Sequence, residues 1–275
     1  MQRPLHFGQE ADGSNAARRR EWDTAVRALL ATPTETLWRR HSDAINSASI
    51  ARWLPTGSCH RLLKTDLFDE AMGDGLYPLL AQRAGRVIGL DIARSVLAAA
   101  AARHPRLLAV AADARQLPFA DAAFDVVVSN STLDHFDARD DIATALRGLH
   151  RVLRPGGALL LTLDNLANPF VALRNALPGR LLRRLGLVDY PVGATCGPRR
   201  LRRMLREAGF AVLECTALLH CPRALAVAAL RRLPADAPPE QQARFLRLLA
   251  GWERLAQWPT RYVTGYYIGV SARKT

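Results

Sequence analysis

A mostly parallel, doubly wound α/β sheet is the fold class this chain predicts, on three observations. Between Arg61 and about Phe210, short apolar runs alternate with stretches of helical period. The runs are bounded by Gly, Pro or Asp and are too short for helices, which suits strands buried on both faces. The 275 residues, 49% apolar and 23% charged, suffice for one large domain with an appended lid, and they exclude a collagen, a disulfide mini-protein or a disordered tail.

The elements are expected in the following order. The first residues are polar, and two amphipathic helices follow. Glu21–Ala31 carries Trp22, Val26, Leu29 and Leu30 on one face; Thr34–Leu54 carries Leu37, Trp38, Ile45 and Trp53, with Thr34 as its cap. Pro55-Thr56-Gly57 ends this unit, so residues 1–56 read as an N-terminal helical lid and residues 57–275 as the main domain. Strands are expected at Leu62–Phe68, Arg86–Asp91, Leu107–Ala111, Phe124–Ser129 and Ala158–Leu163, with helices at Leu76–Ala84, Ser95–Arg103 and Asp140–Leu153 between them. Pro155-Gly156-Gly157 is a turn before the fifth strand. Residues 165–198, rich in Asn, Pro, Gly and Arg, read as an insertion with an amphipathic segment at Val171–Leu187. Then come a helix at Arg199–Ala208, a strand at Phe210–Leu219, helical segments at Pro222–Leu233 and Glu240–Gln257, and a last strand at Tyr262–Ala272, for seven strands in all.

The formal net charge is +13, with lysine only at Lys64 and Lys274. Such a charge attracts polyanions at low salt, so nucleic acid or an anionic membrane enters as a partner. Nucleic acid is not favoured: the arginines of Arg199–Arg206 interleave with leucines at helical spacing, and no basic patch is rich in aromatics. Cys59, Cys196, Cys215 and Cys221 form no CxxC pair and no zinc-type array, so free thiols and no metal are expected. No apolar run is long enough to span a bilayer and residues 1–20 lack a basic start followed by an apolar run, so a cytoplasmic protein is expected. Nothing in the sequence fixes an oligomeric state.

The chemistry starts at Leu67-Phe68-Asp69-Glu70-Ala71-Met72-Gly73-Asp74-Gly75. An acidic residue followed by small residues at alternate positions permits a tight turn that brings backbone amides to a ligand. Asp91 ends the next apolar run, where a carboxylate can accept both hydroxyls of a ribose. Together they point to a nucleoside. The third glycine of a dinucleotide fingerprint is replaced by Pro78, which disfavours NAD.

On these residues the chain resembles the class I S-adenosylmethionine-dependent methyltransferases, in particular the small-molecule group called type 11. Asp69 to Gly75 resembles the family's Asp-x-Gly-x-Gly-x-Gly motif, with Ala71 in place of the first glycine and with Gly73 and Gly75 retained. Gly89-Leu90-Asp91, followed by Ile92, resembles its ribose motif. Ala112-Asp113-Ala114 with Leu117-Pro118-Phe119 resembles its adenine-contacting stretch, Phe124 to Asn130 its fourth strand, and Leu153-Arg154-Pro155-Gly156-Gly157 its approach to strand five. The likeness spans about residues 61 to 165. It implies a Rossmann-like fold, S-adenosylmethionine as cofactor with S-adenosylhomocysteine as product, and transfer to a small-molecule substrate.

Lys64-Thr65-Asp66 is polar for a buried central strand, so a second register stands beside the first, with the strand ending at Thr65 or Asp66 and Leu67–Gly75 an enlarged loop; the spacing to Asp91 favours the first. In either register Asp66, Asp69 and Glu70 cluster where the methionine part of the cofactor belongs, and Lys64 or Asp66 alternatively forms an internal ion pair. Methyl transfer is an in-line displacement that needs positioning and exclusion of water, with a base only for a nucleophile that carries a proton. Candidates lie after the fourth strand, where Asp134 and His135 are the candidate catalytic residues, and after the fifth, where Asp164, Asn165 and Asn168 either orient a substrate or cap turns. His135 is either a general base or a packed loop histidine. Trp38-x-x-His41-Ser42-Asp43-x-x-Asn46 reads as part of a lid or as a core tryptophan beside wet polar groups, and Tyr190 as a lining residue of the substrate pocket. A macromolecular methyltransferase and a non-catalytic protein of the same fold are the alternatives.

Overall fold

A computed structural model describes residues 36–178, 182, 184, 192–230, 232–234 and 237–275. The helix expected at Glu21–Ala31, the cap at Thr34 and the pocket residue Tyr190 lie outside them. In chain order the elements are α1 (Thr36–Trp53), β1 (Cys59–Thr65), α2 (Phe68–Met72), α3 (Tyr77–Arg83), β2 (Ala84–Asp91), α4 (Arg94–Arg103), β3 (Leu108–Ala111), β4 (Phe124–Asn130), α5 (Arg139–Val152) and β5 (Leu153–Asp164). They continue with α6 (Pro169–Ala176), α7 (Pro198–Glu207), β6 (Phe210–Leu218), α8 (Arg223–Leu230), α9 (Pro239–Gly251), α10 (Arg261–Thr264) and β7 (Tyr267–Lys274). Short 3-10 turns occupy Leu133–His135 and Trp252–Gln257.

The strands form one seven-stranded sheet in the order β3-β2-β1-β4-β5-β7-β6, parallel except where β7 runs antiparallel between β5 and β6. Leu62, Leu63, Val126, Val127, Val128, Leu159, Leu160 and Leu161 are fully buried, because helices cover both faces of a parallel sheet. On one face Ile142, Leu146 and Leu149 of α5 pack with Leu201 and Leu205 of α7. On the other, Ile50 and Trp53 of α1 join Leu80, Val96 and Leu97. Each such leucine contributes roughly 1.5–3 kcal/mol by leaving water.

Three expectations are corrected. The first strand ends at Thr65, not Phe68. Asp66 adopts φ 72°, which stops the extended run, and its Oδ1 accepts the Phe68 N–H at 2.9 Å, which starts α2. The second register is therefore the one adopted, with a short helix in the enlarged loop. Tyr262–Thr264, aromatic and β-branched like a strand, forms the helical turn α10, and β7 begins only at Tyr267. The amphipathic segment expected at Val171–Leu187 is interrupted: α6 ends at Ala176, two residues before Pro178, and the next described residue, Leu182, is helical again and donates its N–H to the Pro178 carbonyl at 3.2 Å.

Candidate active site

The parallel strands deliver their carboxyl ends to one edge, and the residues singled out in the sequence gather there. Asp91 at the tip of β2 accepts the N–H of Leu67 at 2.9 Å on one oxygen and of Ala93 at 2.8 Å on the other. Each oxygen keeps a second lone pair for a ribose hydroxyl. Asp66, at the tip of the adjacent β1, is next to it. Burial, and then the Asp91 carboxylate, push Asp66 well above the ordinary carboxylate range; burial raises Asp91 too, against its backbone N–H bonds. Ile92 follows, half-buried.

Lys64 and Glu70 lie directly behind this bend and form a buried ion pair at 2.7 Å, with side-chain exposures of 2% and 0%. Lys64 also donates to the Asp66 carbonyl at 2.6 Å, and Glu70 Oε1 accepts the Leu76 N–H at 2.9 Å. Burial lowers the Lys64 pKa, but Glu70, Asp66 and Asp69 outweigh it, and the ammonium ends above its usual range. Glu70 thus braces the turn from inside, which is why position 75 is glycine: a Cβ on Gly75, at φ +54°, would meet Glu70 Oε1 at 2.6 Å. Gly73 ends α2 in extended conformation. Ala71 does not crowd the turn as its place in the motif implied; it lies within α2 and packs in the core.

On the adenine side Asp113 is held in a fork by Arg115, with Nη2 at 2.6 Å and Nε at 3.1 Å, and Ala114 is buried beside it. Arg115 also lies over the Phe136 ring at 5.5 Å. Asp113 was expected to take an exocyclic amine; both of its oxygens already accept from Arg115, through the backbone N–H as well as the guanidinium, so an amine there would have to compete with that residue.

A second group of polar side chains is assembled from the ends of β4 and β5. Asn130 Oδ1 accepts from Thr162, and Ser131, at φ 47°, donates its hydroxyl to Asp134 Oδ2 at 2.9 Å. The same oxygen accepts the Asp164 N–H at 3.1 Å, while Asp134 Oδ1 is buried with no hydrogen-bond partner. Asp164 is paired with Arg174 of α6, which also donates to Tyr266 Oη at 2.7 Å. Burial, then the neighbouring Asp134, push Asp164 up to about 7 against the pull of Arg174. Thr195 donates to the Asp164 carbonyl, and a cleft of about 750 Å³ opens beside it between Asp137, Arg139, Leu166, Asn175, Gly193 and Arg200. His135 is half-buried on the 3-10 turn. Arg174 and Thr195 carried no sequence signal beyond membership of the insertion.

Asn165 and Asn168 are occupied within the fold. Asn165 donates to the carbonyls of Tyr262 and Gly265, and Asn168 caps α6 and donates to Thr264. Trp38 and His41 face the C-terminal helices rather than the bend: Trp38 packs with Leu219 and Leu249, and His41, buried and not wet, lies 3.8 Å from Glu253. It is Arg39 and Asp43 of α1 that reach the bend. Arg39 pairs with Asp69 at 3.2 Å and lies over Phe68, and Asp43 feels Asp69, Glu70 and Lys64.

Comparison with known proteins agrees with this geometry. Residues 68–161 match the family described as methyltransferase domain. A protein of Mycolicibacterium smegmatis named as a probable S-adenosylmethionine-dependent methyltransferase is 31% identical over 52% of this chain and 51% of its own length. The malonyl-acyl-carrier-protein O-methyltransferase of Pseudescherichia vulneris is 37% identical over 35% of this chain and 38% of its own length. The chain thus matches about half or less of the length of these relatives. In fold it is similar to phosphoethanolamine N-methyltransferase 2 of Haemonchus contortus in complex with S-adenosyl-L-methionine, with a TM-score of 0.59 and 18% identity over 98% of this chain and 61% of that one. The family match overlies the segment that carries Asp91, Asp113 and Asn130, and together with these relatives it supports a class I S-adenosylmethionine-dependent methyltransferase domain there.

Proposed function

We propose that this chain methylates a small molecule through an O–H or N–H group, with Asp134 taking the displaced proton. The observation that carries this reading is the buried Asp134 Oδ1 without a partner, at the carboxyl end of β4 and one residue before His135. Asp91 would hold the ribose and Asp113 with Ala114 the adenine; Asp66 and Asp69 would flank the methionine end, with Glu70 bracing the bend behind them rather than touching the cofactor. When bound, S-adenosylmethionine supplies a methyl on a positive sulfur. Asp134 hydrogen-bonds the acceptor proton, lines up the nucleophile, and receives the proton as the new bond to the methyl carbon forms. Asp164, held by Arg174, donates its backbone N–H to the other oxygen of Asp134 and so fixes the carboxylate in place. The four free cysteines support a cytoplasmic setting.

Labelled methyl donor offered with a panel of small hydroxyl and amine compounds, and separately with total RNA, tests the reading. Label in small products that Asp134→Asn lowers by about a hundredfold supports it. Label in RNA alone overturns it in favour of the macromolecular alternative, and no binding of S-adenosylhomocysteine by calorimetry overturns the methyl-transfer reading altogether.

A further inference from the structure

Two excursions leave the carboxyl edge of the sheet: residues 165–197 between β5 and α7, and residues 219–266 between β6 and β7. They carry eleven arginines and no lysine against four acidic residues, a dense share of the +13 net charge. They also carry most of the exposed apolar surface. Of nine large apolar side chains exposed among the described residues, only Leu108 and Leu213 lie elsewhere, on the two outermost strands. Phe170 (66% exposed) and Leu173 stand out from α6, three residues apart and so on one face. In the second excursion Leu225, Leu248 (71%), Trp252, Trp258 (60%) and Val263 are exposed. The Asn165 and Asn168 amides stitch the two together by bonding to the carbonyls of Tyr262, Thr264 and Gly265, which brings the Phe170 end of α6 beside Val263. Arg244, Arg247 and Arg254 are exposed along the same stretch as Leu248 and Trp252.

We propose that this edge of the molecule docks on an anionic lipid surface. Exposed tryptophan, phenylalanine and leucine enter the boundary between headgroups and acyl chains, while arginines of the same excursions meet the lipid phosphates. Scattered single apolar residues on a surface need no explanation, but seven on two excursions joined by hydrogen bonds, with the exposed Arg244, Arg247 and Arg254 interleaved among those of the second, do. A nucleic acid would use the arginines and could stack on the tryptophans, but it gives Leu173, Leu248 and Val263 no apolar partner. No helix among the described residues is long and apolar enough to cross a membrane, so the attachment is peripheral.

The test reads vesicle binding and no activity, so it stands or falls apart from the methyl-transfer reading. The whole chain is sedimented with vesicles of phosphatidylcholine alone, or with about one-third phosphatidylglycerol, at about 0.15 M salt. Wild-type protein should sediment with the anionic vesicles and far less with the neutral ones, and brominated lipid should quench its tryptophan fluorescence. Phe170→Ser with Trp258→Ser should lower the partition coefficient about tenfold or more at unchanged S-adenosylhomocysteine affinity. Arg244→Gln with Arg247→Gln, which removes no apolar contact, should lower it several-fold. The proposal is overturned if wild-type protein stays in the supernatant, or if the Phe170/Trp258 variant binds like wild type and duplex RNA displaces both from the vesicles, since attraction would then be to polyanions alone.

Discussion

Gly193 lies so close to Asp134 that a Cβ built on it would stand 2.2 Å from the Asp134 carbonyl oxygen, 2.6 Å from the His135 carbonyl carbon and 2.7 Å from the Phe136 carbonyl oxygen. All three are backbone atoms, which cannot swing aside as a side chain can. The next residue, Ala194, donates its N–H to Phe136 at 2.6 Å, so residues 192–195 are strapped across the turn that bears Asp134 and His135. The strap also lines the cleft of about 750 Å³, and the glycine is what lets it lie against this turn.

Gly193→Ala is therefore expected to push the strap off this turn. The cost should be about 1–3 kcal/mol of unfolding free energy, as for overpacking elsewhere, with a loss of methyl transfer larger than the loss of cofactor affinity. Gly197→Ala is the control, since nothing lies within 4 Å of its added Cβ. Urea unfolding of both variants decides; equal stability would mean that the strap has another way to seat.

Asp91 has a double task, which sharpens what its removal does. Both oxygens hold the bend through Leu67 and Ala93 before any ribose arrives. In Asp91→Asn one oxygen becomes an N–H donor that faces another N–H, so the bend loosens and the ribose loses an acceptor together. A fall in S-adenosylhomocysteine affinity of about fifty- to a hundredfold is expected, near 2–3 kcal/mol for a charged hydrogen bond lost in a buried setting. Calorimetry measures it directly; an unchanged dissociation constant would remove the ribose role.

How much of this was legible in the sequence depends on whether a residue's partner is local. Asp91 was found because an apolar run must end before a carboxylate, and β2 and β4 were found because their runs are buried on both faces. The end of β1 was not, since Lys64 sits within a strand only because Glu70, six residues on, neutralises it. Until that pair is seen, the spacing to Asp91 favours the longer strand, which is not the one adopted. Tyr262–Thr264 has strand composition, yet it is pinned as a helical turn by Asn165 and Asn168 from about a hundred residues away. Asn165 and Asn168 read equally as substrate ligands or as turn caps for the same reason: an amide at a strand end reads alike whether it faces a ligand or stitches two loops.

Asp43 ties stability to pH. Burial first, then Asp69, push its pKa up to about 7, against the pull of Arg39. Between the ordinary carboxylate range and about pH 7 the folded protein holds a proton at Asp43 that the unfolded chain has released. Stability from this group therefore falls as pH rises through that window and is level above it. Asp43→Asn removes the effect: relative to wild type, the variant should gain stability between pH 4.5 and pH 7.5, read from urea midpoints at both. A difference that does not change with pH would mean that Asp43 is not held protonated. Asp164, pushed up to about 7 as well, leaves a slope of the same sign in both proteins.

The Lys64–Glu70 pair gives the most demanding test, because it separates the bracing of the bend from ligand binding. Lys64→Met leaves the Glu70 charge buried with only the Leu76 N–H, and Glu70→Gln leaves the Lys64 ammonium facing an amide. Breaking a buried pair from one side costs about 3–5 kcal/mol, whereas replacing both partners with uncharged groups costs much less. Lys64→Met with Glu70→Gln should thus be more stable than either single variant, with a coupling of about 0.5–3 kcal/mol in a double-mutant cycle. Because Glu70 Oε1 also fixes the Leu76 N–H beyond Gly75, the double variant should regain stability without regaining all of its S-adenosylhomocysteine affinity. Additive single effects would show that the pair is screened or open, and that the bend is held by Asp66 and Asp91 alone.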